Sequence, residues 1–283
     1  MLERAESVCI REGGMNTGFI GVGSMGGMLV RALLRAGALA PKDVYAANRS
    51  QAKLDALVAH FPGIHATSNS QLAAHCGLIF LCVGPTDIAV VLAQIDPELS
   101  SRQLLVTTSA AAPLKALEDR VPCRVAMLIP SITQEIGSGI ALLMHGSRVT
   151  PEDHNLLAEL LGRISQPIVI RESLARPAIG LASGGPALIA YLLQSMADEA
   201  VRSNPELSPE LADKLVRETA IATMRLIAAA NMTREEIIGR VAAPGGMTAL
   251  AIEILSRYVP QAWQAVFRET AAREMKSRQS LAL

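Results

Sequence analysis

Aromatic side chains are nearly absent: four Phe, three Tyr and one Trp stand among 283 residues. A core without large rings must be made of Ala, Leu, Ile, Val and Met, which favours helices packed closely on one another or on a sheet. Excess charge of either sign is lacking too, because 26 basic residues balance 26 acidic ones. That balance excludes an electrostatic footprint for nucleic acid or an anionic membrane, and it leaves small molecules as the expected partners.

Cysteine is sparse, and Cys9, Cys76, Cys82 and Cys123 match no CxxC or zinc spacing. No metal site and a reducing, cytoplasmic compartment are expected from that usage. The first fourteen residues carry Glu3, Arg4, Glu6, Arg11 and Glu12 without an apolar run, so they read as a loose tail rather than a signal peptide. The uncharged run from Ile179 to Ala197 is interrupted by Ser183, Gly184, Gly185 and Pro186 and has no basic flank. It is expected to be a buried interface helix, not a membrane span.

What the chain has, from Asn16 onward, is an alternation of short apolar runs with helical patterns. Strands are expected at Thr17–Ile20, Val44–Ala47, Leu78–Val83, Leu104–Thr108 and Arg124–Met127, with Ile140–Met144 and Pro167–Ile170 as possible edge strands. Parallel pairs need crossovers, and crossovers are right-handed, so the pattern predicts an α/β fold of the Rossmann type, a doubly wound sheet. Beyond Arg176 the strand signals end. Ser208-Pro209-Glu210 and Thr233 with Glu236 are helix starts, and Thr248 is expected to cap a further helix after Pro244-Gly245-Gly246. The expected organisation is a tail at 1–14, a nucleotide-binding domain at 15–170 and an all-α domain at 171–283.

Gly21-Val22-Gly23-Ser24-Met25-Gly26 is a GxGxxG directly after a strand and opening a helix. Gly21 permits the tight turn, Gly23 lets a pyrophosphate approach, and Gly26 lets helix and strand pack, while free amides at the helix start offer partial positive charge. At the end of the second strand, where NAD enzymes place a carboxylate, stand Asn48-Arg49-Ser50. Arg49 offers a charge-assisted fork to a 2′-phosphate, with Asn48 and Ser50 as neutral donors, so NADP (NADPH over NADH) is expected. A solvated Arg49 with Ser50 as helix cap is the plainer alternative. Gly245, Gly246 and Met247 read from the residues alone as an interhelical turn, with a carboxylate site as the second possibility.

Several segments resemble the pyrroline-5-carboxylate reductase family: Gly18 to Gly26, Asn48-Arg49-Ser50, Leu81-Cys82-Val83-Gly84-Pro85, Ser183-Gly184-Gly185-Pro186-Ala187 and Val241 to Thr248. Val121 to Val125 and Ile129-Pro130-Ser131-Ile132-Thr133 are closer to the late-competence ComER branch. The resemblance implies that Val83, Gly84 and Pro85 join the cofactor site. It also implies that the all-α domain dimerises, giving a homodimer or a higher oligomer built on it, and holds the substrate. Thr248 would hydrogen-bond the nitrogen of a cyclic imine, most simply 1-pyrroline-5-carboxylate on its way to L-proline, and the Gly245 and Gly246 amides, beside Met247, would bind its carboxylate.

The chain departs from the family pattern at Ala243, where Ser is usual, at Met247, at Gly84 in place of Lys, and at Ser131-Ile132-Thr133. Two readings therefore stand beside the first: reduction of a different imine, and a catalytically silent NADP-binding regulator. A β-hydroxyacid dehydrogenase is disfavoured, because no Lys lies between Lys115 and Lys214 to match that family's catalytic one.

Overall fold

Thr17–Ile20, four fully buried residues, form β1 inside an eight-stranded sheet of order β3-β2-β1-β4-β5-β6-β7-β8. The computed structural model describes residues 15–230 and 232–279. The other strands are β2 Val44–Ala47, β3 His65–Ala66, β4 Leu78–Leu81, β5 Leu104–Thr107, β6 Arg124–Ile129, β7 Ile140–His145 and β8 Gln166–Val169. Helices α1 Ser24–Arg35, α2 Gln51–His60, α3 Asn69–His75, α4 Ile88–Ile95, α5 Leu114–Arg120 and α6 Pro151–Gly162 fill the connections. Pairing is parallel except between β6 and β7. Only ten residues separate those two strands, too few for the crossover that a parallel pair requires.

Strands buried on both faces have no polar alternation to show, and the apolar runs accordingly marked β1, β2, β4, β5 and β6. Leu78–Val83 was expected to be longer than it is. The strand stops at Leu81 because the chain turns outward at Gly84, where a 3-10 turn at Pro85–Asp87 leads into α4. The strand β3 was not expected: its two residues are exposed and carry no apolar signal.

Two apolar layers flank the sheet. In one, the rings of Phe19 and Phe80 stack 4.9 Å apart beneath α1. The other is built on Ile20, Leu72, Ile79 and Leu81 and receives the half-buried Ala178 and Ile179 of α7, Ala175–Ala182. Thr150 and Asp153 close a capping box at the start of α6. The same Asp153 carboxylate accepts from Arg124 Nε at 2.6 Å and Nη2 at 3.0 Å. Arg124 also donates to the Ser101 and Arg102 carbonyls, so one ion pair ties β6, α6 and the turn before β5 together.

The chain divides into two compact units, one running through Ser183 and including the chain from Glu274, the other Gly184–Arg273. The second consists of α8 Gly185–Ser203, α9 Pro209–Ala230, α10 Arg234–Val241 and α11, Met247–Gln279, up to Arg273. Both expected starts are present. Ser208 Oγ accepts from Leu211 N at 3.2 Å, and Thr233 and Glu236 form a full capping box. Glu172–Ser203 is long and apolar enough to cross a membrane, but just 6% of its most apolar window is buried within the chain. The expectation of a buried helix therefore fails for a single copy. Ile189, Tyr191 and Met196 on α8 are all more than half exposed, a load of apolar surface that calls for a cover.

Replacing Arg124 by Met should leave the Asp153 carboxylate buried without its cation, at a cost of about 3 to 5 kcal/mol. Urea unfolding followed by circular dichroism checks this, and a loss under about 1 kcal/mol would show that the pair does not hold α6 to the sheet.

Candidate functional site

The turn after β1 is shaped by what cannot fit in it. Gly21 sits at φ +93°, and a Cβ there would stand 2.5 Å from the Cys82 carbonyl oxygen. A Cβ on Gly26 would stand 1.9 Å from the Gly21 carbonyl oxygen and 2.7 Å from the Cys82 Cβ. The Gly23 position has no atom within 4 Å and ordinary extended backbone, so its face is open for a ligand to approach. Gly23 is the N-cap of α1, with no side-chain cap and no acidic residue in the first turn. The amides of Ser24, Met25 and Gly26, the first turn of the helix, therefore lack intrahelical acceptors and carry the positive end of the helix dipole, a fit for pyrophosphate.

Asn48 has a part beyond the one expected of it. Its Oδ1 accepts from Val22 N at 3.0 Å and its Nδ2 donates to the Ser50 carbonyl at 2.9 Å. The side chain pins the glycine turn to the end of β2 and engages one of its two N–H donors in doing so, and the second N–H is left for a ligand. Ser50 is the N-cap of α2 but makes no side-chain cap bond, leaving its hydroxyl available. Arg49 projects from this turn with 91% of its side chain exposed, and its Nη1 lies 3.8 Å from Asp87 Oδ1. A carboxylate does stand beside Arg49, arriving from beyond the end of β4 rather than from β2.

Two clefts open beside this turn. One of about 480 Å³ lies past β2 and is lined by Asn48, Thr67, Ser68, Asn69 and Gln94. The other, about 530 Å³, exposes Gly23 and Ser24 to Arg31, Lys53 and Glu135. The sequence reading missed Thr67 to Ser70, Lys53 and Asp87. The polar run Thr67-Ser68-Asn69-Ser70 at the carboxyl end of an apolar half was the available signal. Val83 packs on the core, while Gly84 and Pro85 are exposed just past the end of β4, the strand beside β1.

The thiols do no chemistry there. Burial pushes Cys76 and Cys82 up to about 12 and Cys123 to about 11, so none is a thiolate near neutrality.

Gly245, Gly246, Met247 and Thr248 lie in the second unit. Gly245 takes φ +74°, and the Gly246 amide donates to the Ala243 carbonyl at 2.9 Å. The expectation of a free Gly246 amide is thus overturned, since that N–H closes the turn. Leu250 N bonds Gly246 O at 3.1 Å, so the helix α11 begins at Met247 and Thr248 is inside its first turn rather than capping it. The positive φ of Gly245 brings the chain round one residue early. The first-turn amides of Met247, Thr248 and Ala249 still lack intrahelical acceptors, and Thr248 is exposed.

Two family descriptions match the chain: "NADP oxidoreductase coenzyme F420-dependent" over residues 16–111 and "Pyrroline-5-carboxylate reductase dimerisation" over residues 172–277. Among curated relatives, pyrroline-5-carboxylate reductase 3 of Bacillus subtilis is 32% identical over 254 residues, covering 89% of this chain and 93% of its own. ComE operon protein 4 of the same organism is 30% identical over 257 residues, covering 90% and 94%. In fold the chain is similar to the pyrroline-5-carboxylate reductase of Coxiella burnetii, with a TM-score of 0.80, 23% identity and 95% and 99% of the two chains covered. The Plasmodium falciparum enzyme, solved with NADP bound, gives 0.79, 22%, 95% and 98%.

The two glycines separate folding from binding. Gly23→Ala should leave the unfolding midpoint of the first unit unchanged yet weaken a dinucleotide about tenfold or more, because the added methyl stands where pyrophosphate approaches. Gly26→Ala should lower both. Unaltered dinucleotide affinity in Gly23→Ala, measured by fluorescence titration with NADPH, would remove this turn from the site.

Proposed function

The chain belongs to the pyrroline-5-carboxylate reductase family, and we propose that it is an NADPH-dependent oxidoreductase acting on the CH–NH group of a small cyclic imine. The first substrate to test is 1-pyrroline-5-carboxylate, with L-proline as product. The observation that carries this reading is the joint presence, in one chain related over 89% of its length to such a reductase, of the open Gly23 turn, the exposed Arg49 and the Gly245 to Thr248 helix start.

Bound NADPH supplies a hydride. The residues have to place the imine and hold its charges. A protonated imine is already electrophilic at carbon, and when the carbon accepts hydride the C=N electron pair moves onto nitrogen, which keeps its proton. The chain need not provide an acid for that step, which suits a helical unit with no histidine beyond His154. Thr248 is assigned to the ring nitrogen, and the first-turn amides of α11 to the substrate carboxylate. Arg49 and Ser50 are assigned to the 2′-phosphate. The exposed apolar residues of α8, with Met224 of α9 and Tyr258 of α11, are assigned to an interface between copies of this chain in the cytoplasm rather than to a membrane.

The second reading, a silent NADP-binding regulator, is favoured by the 30% identity to ComE operon protein 4 and by Ala243 in the turn. Loss of nicotinamide absorbance with purified protein, NADPH and pyrroline-5-carboxylate decides between them. Turnover supports reduction, whereas NADPH binding without turnover of this or any other cyclic imine supports the regulator.

Given turnover, Thr248→Ala should lower kcat about tenfold or more with NADPH affinity unchanged, as expected for one lost hydrogen bond to a charged group. Equal losses in both would refute its place at the nitrogen. Arg49→Ala should weaken NADPH about 10- to 100-fold and NADH by under about twofold. Similar effects on the two nucleotides would remove the 2′-phosphate from Arg49.

A further inference from the structure

Arg49 and Asp87 meet from opposite sides of β1. In the sheet β1 lies between β2 and β4, with Ile20 in register with Ala47 on one side and Leu81 on the other. Arg49 stands two residues past the end of β2 and Asp87 six past the end of β4. Their 3.8 Å contact therefore bridges the glycine turn that follows β1. This is the point where the strand order reverses and a dinucleotide lies along the carboxyl ends of the strands.

Each half of the bridge is free of other duties. Asp87 occupies the N-cap position of α4 but makes no side-chain cap bond, so its carboxylate is not committed to starting that helix. Arg49 is held only from behind, by the Asn48 bonds to Val22 and Ser50. At 3.8 Å the pair attracts through space without a hydrogen bond, and both side chains are substantially open to solvent, at 91% and 44%.

We infer that Asp87 is a specificity-determining residue for the cofactor, one that opposes the 2′-phosphate by competing with it for Arg49. The inference rests on the reading of Arg49 as the 2′-phosphate partner. A 2′-phosphate draws the guanidinium away from Asp87 and places a dianion close to a carboxylate, and both effects weaken binding. A nucleotide with a bare 2′-hydroxyl meets neither. Asp87 thus narrows the gap in affinity between NADPH and NADH that Arg49 alone would create.

The test is Asp87→Asn, which keeps the shape and removes the charge. NADPH should bind about two- to fivefold more tightly, as expected for an exposed pair, and NADH should change by less than about twofold. In the Arg49→Ala background the gain should shrink to what the lost repulsion alone supplies, because the competition needs the guanidinium. Fluorescence titration of the four proteins with NADPH and NADH reads all of this. No change for NADPH, an equal change for both nucleotides, or a gain of the same size without Arg49 overturns the inference. If Arg49→Ala itself fails to discriminate between the nucleotides, the assignment of Arg49 fails first, and that outcome is visible separately in the single variant.

Discussion

The approach of α1 to the carboxyl ends of β1 and β4 is the contact on which the crevice depends. At Gly26 the helix comes so near that an added Cβ would sit 1.9 Å from the Gly21 carbonyl oxygen. No side chain can be inserted there without moving the helix start. That proximity aims the first-turn amides of α1 across the end of the sheet, and the Val22 to Asn48 hydrogen bond keeps the turn from swinging away from β2. The glycine turn and the first-turn amides of α1 are positioned by these two constraints, one steric and one polar.

The charges around the crevice are arranged more evenly than the local sequence implies. Arg49 faces Asp87, and Arg31 lies 3.7 Å from Glu135 on the far side of the glycine turn. Neither cation is a bare positive site. Exposed pairs of this kind contribute little to stability, so their effect is on the field that an incoming anion meets. A dinucleotide at this turn would draw on the helix dipole, the backbone amides and Lys53, unpaired among the described residues, and would engage Arg49 or Arg31 only by displacing a carboxylate.

Much of the fold was legible because its strands are buried on both faces and announce themselves as apolar runs, as Thr17–Ile20 and Val44–Ala47 do. Caps with local geometry were legible as well: Ser208, and Thr233 with Glu236, act within three residues of themselves. What escaped were features made by distant residues. His65–Ala66 is a strand only because β2 is there to pair with it. Asp87 becomes a neighbour of Arg49 only through the strand order, and nothing in the segment around Arg49 encodes a carboxylate arriving from β4. The turn at Gly245 is the interhelical turn its residues indicate, and only the Gly246 amide that the family resemblance implied to be free is not. The left-handed Gly245 folds the Gly246 N–H back onto Ala243.

That closed turn bears on what the second unit can hold. A serine at position 243 would add a hydroxyl donor next to the first-turn amides of α11, and Ala243 adds none. With Gly246 N–H also engaged, an anion at this helix start is left with the Met247, Thr248 and Ala249 amides and the Thr248 hydroxyl. A hydrogen bond to a charged group contributes about 1.5 to 3 kcal/mol, so the missing donor corresponds to roughly one to two decades of affinity for a carboxylate. The Met247 side chain, 81% exposed beside Thr248, presents apolar surface where that donor is lacking. Under the proposed reading of a cyclic imine carboxylate, both departures act in the same direction: they would shift recognition from the charge of such a molecule toward the apolar body of its ring.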